Sequence, residues 1–101
     1  MKLTTDFGTY DVQARITRYS MHNNLAVRLV EKDGAPFATL TVNLGDNLPS
    51  TYAYVDTNNC PWAEKFITEY ELGEPTGIGK QSGYCMYPLY QFNINKLEVN
   101  K

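Results

Sequence analysis

The chain has 101 residues, of which 43 % are apolar and 20 % charged, and a net charge of −2 from 9 lysines and arginines against 11 aspartates and glutamates. One hydrophobic core fits that length, the apolar fraction excludes a disordered chain, and the lack of surplus cations disfavours direct nucleic-acid binding, which needs basic groups to displace counterions from phosphates. The first ten residues carry one lysine and no apolar run of the signal-peptide kind, and no later stretch approaches the roughly 18 apolar residues of a membrane span, so a cytoplasmic protein without membrane association is expected.

From Tyr10 to Thr17 apolar residues (Tyr10, Val12, Ala14, Ile16) alternate strictly with polar ones, the period of a half-buried strand. His22-Asn23-Asn24 interrupts the pattern, and Leu25, Val27 and Leu29 resume it. Asp33-Gly34 supplies the positive φ of a tight hairpin turn, so Phe37 to Leu44 is read as the return strand, closed by Gly45 to Pro49. Ser50 to Val55 is a further short strand.

At Pro61 the period changes. Trp62, Phe66 and Tyr70, with Ala63 and Ile67 beside them, follow helical spacing, which predicts the one main helix over about Pro61–Leu72. Asn59 or Cys60 serves as its cap, and Gly73 with Pro75 as its stop. Ile78 to Gly83 reads as a glycine-rich loop. The stretch S-G-Y-C-M-Y-P-L-Y-Q-F (Ser82–Phe92) then reads as a last strand running on through Ile94, bent or edge-placed at Pro88, which has no N–H for a ladder. By parity Tyr84, Met86, Pro88, Tyr90 and Phe92 share one face. The expected fold is a single α+β domain over residues 1–101: an antiparallel sheet of four to six strands with the helix on one face.

Chemistry is thin in this pattern. The glycines at 77, 79 and 83 miss both the dinucleotide and the Walker spacings. The lone His22 and the widely separated Cys60 and Cys85 lack metal-ligand spacing, and without an export signal the thiols are expected to stay reduced. A Cys nucleophile served by His22 and Asp56 can be written down, but no local pattern supports it. No catalytic residue, cofactor or metal is therefore expected, and the chain is read as a non-enzyme.

Between Asp56 and Glu74 five acids face one base, a local balance of −4. Glu69, Glu71 and Glu74 sit at the helix C-terminus, where the macrodipole disfavours negative charge. With the following loop and the tyrosines Tyr84, Tyr87 and Tyr90, whose rings join apolar area to a polar tip, they form the candidate partner-binding surface.

The segments L-A-V-R-L, D-G-A-P-F-A-T-L-T-V-N-L, V-D-T-N-N-C-P and S-G-Y-C-M-Y-P-L-Y-Q-F, spanning Leu25 to Phe92, resemble a domain-of-unknown-function family of small proteins from gut bacteria, often carried on conjugative or phage-like mobile elements. The resemblance implies a cytosolic accessory role, with anti-defence activity or transfer support as its settings, and assigns no activity to any residue. The function expected is binding of an unidentified protein partner. The alternatives are an acidic inhibitor or nucleic-acid mimic acting on a host defence enzyme, and a small ligand-binding domain or enzyme. Oligomeric state is not legible.

Overall fold

The computed structural model describes residues 1–98. The alternating stretch becomes the inner part of β2 (Gly8–Arg18), where Val12 and Ala14 are fully buried. β1 (Lys2–Thr5), which carries no sequence signal of its own, pairs antiparallel on one side of it. β3 (Leu25–Glu31) pairs on the other side, in a register that sets Ala14 opposite Leu29 and Ile16 opposite Val27. The Asp33-Gly34 turn forms as expected. Gly34 adopts φ 92, its N–H donates to Glu31 O at 2.8 Å, and β4 (Pro36–Thr39) returns along β3.

The expected strand from Phe37 to Leu44 divides at Leu40, and the single expected sheet becomes two. The Leu40 N–H donates to Val27 O, and the Leu40 carbonyl accepts from the Asp56 N–H, each at 2.8 Å. One fully buried residue thus bonds β3 on one side and the end of β6 (Tyr52–Val55) on the other. β5 (Thr41–Val42) continues beyond it into the second sheet, pairing with β6. The Thr41 hydroxyl accepts the Val27 N–H at 3.2 Å, occupying a donor that the departing strand no longer meets.

The expected main helix is a short one. α1 (Ala63–Glu69) has seven residues and no side-chain cap at Trp62. An isolated helix that short has no stability in water, so packing holds it. Ala63, Phe66 and Ile67 are buried, and burying a side chain of the size of Phe66 or Ile67 contributes about 1.5 to 3 kcal/mol. The predicted Trp62, Phe66, Tyr70 stripe is real: centroids lie 6.2 Å and 5.1 Å apart along it, and Phe37 joins the row at 6.4 Å from Trp62. Trp62 is half-buried at the core margin. Gly73 and Pro75 do not stop the helix. It ends in a Schellman motif with Glu71 at φ 54, where Leu72 N–H bonds Ile67 O at 2.9 Å and Glu71 N–H bonds Thr68 O at 3.2 Å.

The expected glycine-rich loop is also a strand. β7 (Gly73–Ser82) pairs antiparallel with β8 (Cys85–Phe92) through a two-residue turn, Gly83-Tyr84, with Gly83 at φ 62 in its first central position as a type II′ hairpin requires. Between Pro75 and Gly79 the register shifts, and Thr76, Gly77 and Ile78 bulge out opposite the single residue Leu89. The second sheet runs β5-β6-β8-β7, so β8 is an inner strand despite Pro88. The closing pair Ser82/Cys85 is followed by alternate bonded and non-bonded pairs, which puts Pro88 in a non-bonded pair with Gly79. Past Phe92 the chain turns into a second short helix, α2 (Ile94–Glu98), packed on β2.

Both sheets and both helices close on one core, from Leu3, Val12 and Leu29 through Leu40 and Phe66 to Tyr90, Phe92 and Leu97. The radius of gyration of 12.8 Å matches the roughly 13 Å of a single 100-residue domain. The described residues thus form a small, mainly β domain of two four-stranded sheets with two short helices.

Candidate binding surface

Three glutamates are expected to mark the partner surface, and all three side chains are exposed, with no cation bound to them among the described residues. Glu71 and Glu74 line a groove of about 630 Å³ at the base of the β7–β8 ribbon, together with Thr51, Thr68, Gln91 and Asn93. Gly73 makes that groove's floor: a Cβ there would stand 2.8 Å from the Gln91 carbonyl oxygen. Glu69 faces a different depression, of about 170 Å³, beside Lys2 and Tyr70.

The tyrosines part company as well. Tyr90 is 2 % exposed, a core residue with no surface to offer. Tyr87 is half-buried. Tyr84, at the turn, stands fully clear of the protein. Seven residue steps along β8 lead from it to Gln91, about 23 Å at 3.3 Å per step, so the structure does not assemble the six residues into one surface.

The ribbon instead exposes three large apolar side chains along its length, Tyr84 at the turn, Met86 just below it and Ile78 at the bulge. Ile78, pushed out by the bulge, is 61 % exposed, Met86 58 % and Tyr84 105 %. Ile78 and Met86, with Gly79 and Pro88, line a groove of about 430 Å³ whose far wall carries Glu64. Glu64 is held there by Tyr90, whose hydroxyl donates to Oε2 at 2.8 Å. Burial first, and then this bond to a carboxylate, push the Tyr90 phenol up to about 12. Met86 and Pro88 lie together as strand parity expects, whereas Ile78, expected in a loop, stands on a strand beside them. The signal that could have found it is the Gly83-Tyr84 pair directly before the strand-forming run of β8, a hairpin mark that folds residues 73–82 back along it despite their poor strand propensity.

The opposite face of the ribbon is clamped. Asp46 accepts from both the Lys80 ammonium and the Tyr54 hydroxyl, and these bonds hold its carboxyl below the usual range. Asn24, 3 % exposed, ties the same loop down by donating to Asp46 O and accepting from the Leu48 N–H.

The residues of the conceivable nucleophilic site are occupied otherwise. Asp56 accepts from the Asn59 backbone and side chain at 3.2 and 2.9 Å, and His22 is an exposed turn residue at φ 61. Cys60 is buried with its thiol directed at Thr39 O, and burial together with the Asp56 charge pushes it up to about 11. Cys85 is half-buried and also free. No group of three or more metal-ligating side chains is assembled among the described residues, and none of their helices is long and apolar enough to cross a membrane.

A family model described as Domain of unknown function (DUF4313) matches residues 13–100, which takes in every element from β3 to α2 and most of β2 but not β1. This bears out the expected membership of a domain-of-unknown-function family, while an origin in gut bacteria or on mobile elements forms no part of the match. No curated protein and no solved structure matches the chain.

Proposed function

We propose, for a chain that belongs to the domain-of-unknown-function family DUF4313, a non-enzymatic role as a protein-binding domain that presents the tip of its β7–β8 ribbon to a partner. The observation that carries this reading is the exposure of Ile78, Tyr84 and Met86 on one short ribbon. Apolar side chains grouped on a projection lose their contact with water only when something covers them, and tyrosine is a frequent anchor in protein interfaces. The clamp of Asp46 on Lys80 and Tyr54 supports it, because a ribbon fixed in advance loses little entropy on binding. Glu71 and Glu74 at the ribbon's base give the approach an acidic edge, which favours a partner with basic groups around its own apolar site. The protonated state favoured for Cys60 speaks for binding rather than nucleophilic chemistry.

The test is photo-crosslinking in the native host extract. A photoreactive residue at Tyr84 is expected to trap a discrete partner that the same residue at Lys32, in the β3–β4 turn of the other sheet, does not. Equal products from the two positions would overturn the assignment of the ribbon tip.

A further inference from the structure

The register of the first sheet brings together two charges that the sequence keeps 13 positions apart. Arg15 on β2 lies directly opposite Arg28 on β3, and both side chains are exposed on the same face. Directly opposed side chains on a sheet have Cβ atoms about 4.5 to 5.5 Å apart, and like charges so placed repel. Among the described residues neither guanidinium has an ion pair or hydrogen bond that would relieve the repulsion, whereas Arg18 nearby donates to Ser50 O at 2.7 Å. The two arginines border one cleft of about 220 Å³, with Thr17, Val30 and Pro36 around it.

From this geometry we infer that the Arg15–Arg28 pair is an oxyanion site whose ligand is a phosphate-type dianion, free or as a phosphomonoester. Two guanidinium forks can each bond such a group in bidentate fashion, and the Thr17 hydroxyl on the cleft wall is a further donor. The ligand's two negative charges cancel the repulsion that the protein itself leaves unrelieved. The Val30 and Pro36 side of the cleft gives a monoester's organic group an apolar surface to lie on. The site is on the first sheet and owes nothing to the ribbon tip.

Thermal melting tests it directly. In a chloride-based buffer at constant ionic strength, inorganic phosphate replaces chloride stepwise, with wild type, Arg15→Gln, Arg28→Gln and the control Arg18→Gln compared. A ligand that binds only the folded state raises the melting temperature by mass action. Wild type and Arg18→Gln are expected to rise with phosphate, and the Arg15 and Arg28 variants to stay flat. Without phosphate the two flat variants should melt no lower than wild type, because each removes a repulsion. A larger rise with phenyl phosphate than with inorganic phosphate would identify the ligand as a monoester, and the reverse order a free anion. An equal rise in all four proteins, no rise in wild type, or acetate acting as well as phosphate would overturn the inference. None of these results bears on crosslinking at Tyr84, so the two proposals fail separately.

Discussion

Glu71 sits where a helix ordinarily places glycine, and replacing it tests the account of how α1 ends. Its φ of 54 lies in the left-handed region, which costs a residue with a Cβ on the order of 1 to 2 kcal/mol. The carboxylate is also one residue past the helix C-cap Tyr70, where negative charge opposes the macrodipole by about 0.3 kcal/mol. Glu71→Gly removes both penalties, but glycine's freer unfolded chain takes back about 0.4 to 1 kcal/mol. The net gain should be about 1 kcal/mol, a rise in melting temperature of about 4 °C for a chain of this size. Glu71→Ala is the necessary companion: it discards the charge and keeps the strained backbone, so it should gain only a few tenths of a kcal/mol. Melting followed by circular dichroism at neutral pH and moderate salt separates the two. If the glycine and alanine variants melt together, the left-handed residue is not strained and the Schellman description is wrong. The same position lines the groove at the ribbon base, so a stabilising substitution that slows partner association would show why glutamate is kept there.

Gly73→Ala should act in the opposite direction, costing about 1 to 3 kcal/mol in chemical denaturation, because the new methyl would meet backbone atoms, Gln91 O at 2.8 Å and Phe92 Cα at 3.2 Å; wild-type stability would refute the close approach of β7 to β8. Alkylation of the native protein near pH 8, read by mass spectrometry, should label half-buried Cys85 first and leave buried Cys60, with its thiol pushed up to about 11, until the protein unfolds; equal rates would contradict the placement of Cys60. Tyr54 and Tyr90 are both pushed from 10.0 up to about 12, in each case by burial and then by a bond to a carboxylate. The stability that these phenols supply is therefore fully present below pH 10 and is lost as the pH rises towards 12. Tyrosinate absorbance should show a late phase that coincides with unfolding and shrinks in Tyr90→Phe; ionisation complete before unfolding begins would sink this reading.

Several elements were legible because they depend only on neighbours in sequence. The Asp33-Gly34 turn needs one residue at positive φ, and the burial of Val12 and Ala14 follows from a side-chain period of two. The ring row of Trp62, Phe66 and Tyr70 follows from a period near four. Family membership was legible for the same reason, since it rests on strings of residues. The remainder depends on which distant segments bond each other. Only the meeting of Val27, Leu40 and Asp56 divides what reads as one strand between two sheets. Pairing with β8 is what makes a strand of the glycine-rich stretch after Gly73, because its backbone groups find partners there despite poor local propensity, with a surplus of two residues accommodated in the bulge that exposes Ile78. Tyr90 and Tyr84 look alike as letters; the first lies under α1 with a carboxylate to bond, and the second lies at the end of a ribbon that outruns the core. Register alone sets Arg15 against Arg28, since shifting β3 by one residue would send their side chains to opposite faces.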